Sequence, residues 1–100
     1  PGAGTVSEMV ALMEMGFHEL KFFPAEAAGG VDYLKSVAGP LAELKFCPTG
    51  GITPGNAGTY LGLGNVMCVG GSWITPKAAV ASGNWAEITR LAAEAAKLGA

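Results

Sequence analysis

The chain has 100 residues, half of them hydrophobic, with a mean hydropathy of +0.38 and only 14% charged side chains. That much apolar material excludes a disordered chain, and six Lys or Arg against eight Asp or Glu, for a net charge of −2, exclude a strongly basic nucleic-acid binder. Cys47 and Cys68 are too few for a disulfide-scaffolded domain, and their spacing matches no metal motif.

In chain order, Thr5-Val-Ser-Glu8 has the form of a capping box, and Val6, Met9, Val10 and Met13 recur at helical spacing until Gly16 stops the helix. Glu19 to Phe23 is a short apolar run closed by Pro24 and reads as a strand. Ala25 to Gly30 reads as a loop, and Val31, Leu34, Val37 and Ala38 mark a helix that ends at Gly39-Pro40. Glu43 to Cys47 is a second strand, closed by Pro48, and Thr49-Gly50-Gly51 is a turn. Thr53-Pro54 sets an N-cap before a Pro at the first helical position, starting a helix that runs to about Leu61. Val66 to Val69 is wholly apolar, as expected of a third strand buried on both faces. After Gly70-Gly71-Ser72, Thr75-Pro76 opens a short helix to Gly83. Asn84 and Glu87 then cap a last helix with Trp85, Ile88, Leu91 and Ala95 on one face.

Alternation of this kind predicts one α/β domain over residues 1–100, with a parallel sheet and right-handed crossovers. Glu19-Leu-Lys-Phe-Phe-Pro and Glu43-Leu-Lys-Phe-Cys-Pro echo one another at the length of one βα unit, which points to a tandem βα architecture. Three strands cannot close a barrel, so the pattern fits part of a (β/α)8 barrel, with a small doubly wound sheet as the rival. The uncharged run from Phe46 to Pro76 is broken by glycines and by Pro48 and Pro54, so it does not read as a membrane span. The chain opens on Pro with no charged-then-apolar leader after it, and reads as part of something longer.

Lys21 is the first chemical candidate. It lies inside the apolar stretch Leu20-Lys21-Phe22-Phe23-Pro24, where an ammonium is costly unless paired or deprotonated, and a neutral amine attacks ketones to form Schiff bases. It could equally snorkel from the strand end or pair with Glu26, and Lys45 occupies the equivalent repeat position with nothing local to separate the two. The turns Thr49-Gly50-Gly51 and Gly70-Gly71-Ser72 each follow a strand and offer unblocked backbone N–H groups, with a hydroxyl from Ser72. They suit an anion, or simply make tight turns. Glu26 could serve as an acid or base beside Lys21. His18 reads as a surface residue, Cys47 and Cys68 as buried reduced thiols, and Met9, Met13 and Met15 as core.

The stretch from Gly16 through Leu20-Lys21-Phe22-Phe23-Pro24-Ala25 to Gly29 resembles the Schiff-base lysine motif of the KDPG/KHG aldolases. The resemblance continues through Lys45-Phe-Cys-Pro-Thr-Gly-Gly-Ile52, Val69-Gly-Gly-Ser-Trp73 and Ile88-Thr-Arg-Leu91, and so covers essentially the whole chain. It implies a (β/α)8 barrel, usually a homotrimer, acting as a cytoplasmic, metal-independent class I aldolase without a cofactor. Its substrate would be a small phosphorylated keto acid, 2-keto-3-deoxy-6-phosphogluconate, cleaved to pyruvate and glyceraldehyde 3-phosphate; nucleic acid and membrane would not be partners. By motif match Lys21 would be the Schiff-base lysine, Thr49, Gly50 and Gly51 would hold the pyruvyl end, and Gly70, Gly71 and Ser72 would bind phosphate. The chain matches only the C-terminal half of such an enzyme, with Pro1-Gly2 at the end of the fifth strand. The family's Glu and Arg, carried on early strands, have no counterpart. Two expectations follow: an aldolase half carrying the lysine, or a catalytically impaired structural half-barrel that associates with copies of itself.

Overall fold

The computed structural model describes residues 1–99. Three parallel strands, β1 (Gly2–Ala3), β2 (Glu19–Phe22) and β3 (Lys45–Pro48), lie side by side in that order. The helix α1 (Val6–Glu14) connects β1 to β2, and α2 (Ala25–Ala28) and α3 (Gly30–Val37) connect β2 to β3. After β3 come α4 (Pro54–Leu61), a 3-10 turn at Ser72–Ile74, α5 (Lys77–Ser82) and α6 (Trp85–Ala95).

The sequence signals act where expected at the helix starts. Thr5 Oγ1 accepts from the Glu8 N–H at 3.2 Å, while Glu8 reaches back to the Gly4 N–H and the Thr5 hydroxyl, both at 3.0 Å. These bonds, the one to the Gly4 N–H foremost, hold the Glu8 carboxyl below its usual range. Asn84 caps α6 by accepting from the Glu87 N–H at 3.3 Å. On α6, Arg90 is bound by Glu87 and Glu94, and Glu87 is lowered in turn by Arg90.

Side chains alternate between sheet faces with a period of two. Leu20 and Phe22 of β2 and Phe46 and Pro48 of β3 are buried on one face, under Met9, Leu34, Val37, Ala57 and Tyr60 from the helices. Phe22 is at the centre, stacked on Tyr33 with ring centroids 5.3 Å apart and edge-on to Phe46 at 6.3 Å. The opposite face carries Glu19, Lys21 and Phe23 along β2 and Lys45, Cys47 and Thr49 along β3, all exposed or half-buried. A parallel sheet is normally covered on both faces; here helices cover one.

Five expectations are corrected. Residues 25–28 form a helical turn instead of a loop, started by Pro24 as its N-cap. The expected strand at Val66 to Val69 makes only two bridges to β3, Phe46 with Val66 and Thr49 with Gly70. One more residue separates these bridges here than on β3, so the segment bulges. Met67 (46% exposed) and Cys68 stand out from it, and Cys47 is only half-buried, so neither thiol is fully buried. The third strand of the sheet is instead β1 at the chain start. Met9 is core, but Met15 at the end of α1 is 71% exposed. In α6, Ile88, Leu91 and Ala95 are half-buried against the 3-10 turn and α5, while Trp85 is 62% exposed.

Candidate active site

Lys21 is the third residue of β2, paired with Gly2 of β1 and Cys47 of β3. Its side chain is exposed on the uncovered face, with Nζ 5.4 Å from the centre of the Phe23 ring. The apolar neighbours that made this position look desolvating, Leu20 and Phe22, point to the other face. Glu26 does not pair with it. The Glu26 carboxylate is held by Asn56 and Tyr60, each donating to Oε1 at 3.0 Å.

Lys45 is separated from Lys21 by register. The echo aligns the two lysines, but in the sheet Lys45 lies opposite Glu19, two residues nearer the start of β2 than Lys21. That displacement is roughly 6–7 Å. Lys45 Nζ is also committed, donating to the Gly64 carbonyl at 2.8 Å.

The turn after β3 is built around two glycines. Gly50 and Gly51 have φ of 103° and 76°, in the left-handed region where a side chain is strained. A Cβ on Gly50 would come within 3.0 Å of Pro24 Cα, and one on Gly51 within 2.7 Å of Glu26 Cγ. Ala25 and Glu26 donate their N–H groups to the carbonyls of Thr49 at 2.8 Å and Gly50 at 3.1 Å, which laces this turn to the start of α2. The second glycine turn stands beside it. The Gly70 N–H donates to the Pro48 carbonyl at 2.9 Å, and a Cβ on Gly70 would lie 2.8 Å from Thr49 Oγ1. Gly71 lies directly under the Trp73 ring, with no room for a methyl group.

Between the two turns is a cavity of ≈ 430 Å³. Thr49, Gly50, Gly51, Gly71 and Ser72 line it, together with Phe23, Ile52, Thr53 and Trp73. Gly70 is behind the lining, and Lys21 reaches the cavity only through Phe23, whose ring is both the cavity wall and the surface under the amine. The structure thus brings together five of the seven residues singled out as site candidates. Phe23 and Trp73 were missed as lining residues. The period of two from Lys21 was the available signal for Phe23, and adjacency to the second glycine turn for Trp73.

Burial, and then the bond to Glu26, push the Tyr60 phenol up to about 12 from an ordinary 10.0. A raised acid contributes stability that is complete below its unfolded value and is lost as pH climbs through the folded one. Melting temperature is therefore expected to fall between pH 10 and 12, and Tyr60→Phe to flatten that fall; an equal slope in both chains would contradict the assignment. Partial desolvation and the neighbouring Cys47 thiol push the Cys68 thiol up as well.

The family model described as KDPG and KHG aldolase matches residues 1–91. The chain belongs to the KDPG and KHG aldolase family. It is 53% identical over 95 residues to the KHG/KDPG aldolase of Escherichia coli (strain K12), an alignment that covers 95% of this chain and 45% of that protein. The 2-dehydro-3-deoxy-phosphogluconate aldolase of Dickeya dadantii is 54% identical over 95% of this chain and 45% of its own length. Among solved structures, the KDPG aldolase of Legionella pneumophila, with pyruvate captured as a covalent carbinolamine intermediate, superposes with a TM-score of 0.92. It is 49% identical over 95% of this chain and 46% of that one. The Zymomonas mobilis ZM4 enzyme with 3-phosphoglycerate gives 0.89 at 42% identity, over 98% of this chain and 46% of that one. The chain therefore spans a little under half the length of the family members it matches.

Proposed function

We propose that the chain carries the Schiff-base portion of a class I aldolase site, with Lys21 as the amine, on the C-terminal half of a (β/α)8 barrel. The supporting observation is the placement of Lys21 Nζ over Phe23, a wall of the cavity between the two glycine turns. The relative whose structure holds pyruvate as a carbinolamine gives the chemistry its precedent.

Lys21 Nζ attacks the C2 ketone of 2-keto-3-deoxy-6-phosphogluconate, giving a carbinolamine that loses water to an iminium ion. The hydroxyl at C4 gives up its proton, the C3–C4 bond breaks, and its electron pair flows into the iminium to leave an enamine. Glyceraldehyde 3-phosphate departs. Protonation of the enamine at C3 and hydrolysis release pyruvate and restore the amine, so the water lost at the start is returned at the end. Thr49, Gly50 and Gly51 hold the pyruvyl end, and Gly71 and Ser72 the phosphate, with Gly70, its N–H committed to the Pro48 carbonyl, shaping the turn behind them. No metal or cofactor takes part. Proton transfers to and from the carbinolamine need a general acid and base, help that is worth ~10²–10⁴ in rate. Adduct formation at the lysine is the step these residues carry themselves. The test is borohydride reduction of the chain with pyruvate: a stable adduct is expected, and none at saturating pyruvate would overturn the reading.

An anion is expected between the two turns. Phosphate should protect the chain against heat, Ser72→Ala should weaken that protection several-fold, and Gly71→Val, which drives a side chain into Trp73, should abolish it. Protection unchanged in both variants would remove the phosphate assignment. A second reading, a structural half-barrel that associates with copies of itself, is favoured by the uncovered sheet face with Phe23 exposed on it.

A further inference from the structure

We propose that Glu26 is a positioning residue: acting through Asn56, its carboxylate fixes the Thr49–Gly51 turn in the form whose N–H groups are free to bind the pyruvyl carboxylate. The inference rests on the reading of that turn as the pyruvyl subsite.

The geometry begins with the three carbonyls of the turn. Thr49 O accepts from the Ala25 N–H and Gly50 O from the Glu26 N–H, at 2.8 and 3.1 Å. Gly51 O accepts from Asn56 Nδ2 at 3.0 Å. These peptide bonds are trans, so each N–H points opposite to the carbonyl of its own peptide unit. Turning three carbonyls toward Ala25, Glu26 and Asn56 therefore turns the N–H groups of Gly50, Gly51 and Ile52 the other way. Those three residues line the cavity, and among the described residues their N–H groups donate to no protein acceptor. Successive free N–H groups of this kind form an anion-binding concavity.

Two of the three carbonyls are held by backbone, and the third depends on one side-chain amide. Asn56 has its donor and acceptor sides fully used. Nδ2 donates to Gly51 O and Glu26 Oε1, both at 3.0 Å, and Oδ1 accepts from the Thr53 N–H at 2.8 Å. With the amide reversed, its oxygen would face two oxygens and its NH₂ an N–H, so Glu26 joins Gly51 O and the Thr53 N–H in fixing which way Asn56 points, and is the one side chain among the three. The carboxylate is itself anchored by the buried Tyr60 hydroxyl at 3.0 Å, and its stem fills the space a side chain on Gly51 would need. Glu26 lies on the carbonyl side of the turn, away from the direction of the free N–H groups. It acts by orientation and does not touch the substrate.

The test uses the full chain with Glu26→Ala, Glu26→Gln and Asn56→Ala, each checked for fold by circular dichroism. Gln keeps an oxygen for both donors and should behave as the unsubstituted chain. In Glu26→Ala and Asn56→Ala, the pyruvate concentration for half-maximal borohydride trapping should rise roughly tenfold, the factor equivalent to about 1.4 kcal/mol. The trapping rate at saturating pyruvate should not change. Hydrogen exchange at the Thr53 amide should accelerate in both, with Phe22 and Phe46 unaffected. An unchanged half-saturation with unchanged Thr53 exchange would overturn the proposal, as would a loss in Gln equal to that in Ala, or a fall in the saturating rate alone. If the unsubstituted chain traps no pyruvate, the Schiff-base reading fails, and Thr53 exchange still decides whether Glu26 holds the turn. Should Glu26→Ala fail to fold, Asn56→Ala and Glu26→Gln carry the same comparison.

Discussion

Reduction of the chain by borohydride in the presence of pyruvate is expected to label Lys21 and no other lysine. Lys21 has its amine over Phe23 at the cavity edge, with no protein oxygen among the described residues accepting from it. Lys45 would first have to give up its bond to the Gly64 carbonyl, and it lies toward the opposite end of the strands. Lys35, in the last turn of α3, and Lys77, at the start of α5, are on helices away from the cavity lining. Lys21→Ala should reduce labelling to background. It should leave the fold intact, because an exposed side chain off the packed face costs within about 0.5 kcal/mol when truncated. Peptide mapping that places the adduct on Lys45 or Lys35 would overturn the assignment. Lys45→Ala, by contrast, should leave labelling in place and lower stability by about 1 kcal/mol through the lost bond.

The second large effect is expected in sedimentation: at micromolar concentration the chain should associate, and its melting temperature should rise with protein concentration. Helices cover one face of the sheet only, and the other presents Phe23, 52% exposed, with Lys21 and half-buried Cys47 and Thr49. Each 100 Å² of apolar surface withdrawn from water is worth about 2.5 kcal/mol, so a modest contact on this face rivals a typical domain's net stability of ~5–15 kcal/mol. The outer sides of β1 and of residues 66–70 add strand edges with no pairing partner among the described residues, and such edges template association. Phe23→Glu should shift the distribution toward the single chain. A folded 10.0 kDa species whose unfolding is independent of concentration would refute association.

Local chemistry made much of this legible. The caps at Thr5, Thr53 and Asn84 depend on residues three positions apart, and each helix starts where those pairs place it. The family motifs located the two glycine turns because their backbone requirements are written into the residues themselves. What was hidden depended on neighbours distant in the chain. Val66 to Val69 has the composition of a buried strand, but whether a partner lies on its far side is not encoded in its own side chains. The echo of Lys21 and Lys45 is a matter of sequence, whereas their separation is a matter of register. Glu26 and Asn56 are thirty residues apart, so nothing near either one announces that a single amide links α2, α4 and the turn between them.

The bulge that carries Cys68 outward also governs the sulfur chemistry of the open face. The thiolate, not the thiol, attacks disulfides and alkylating reagents. With its thiol pushed up by partial desolvation and by Cys47, Cys68 is accessible to reagents yet kept in its unreactive form near neutral pH. Raising the Cys68 thiol slows disulfide formation between copies that meet through this face, so contact is expected to join them before any covalent bridge does.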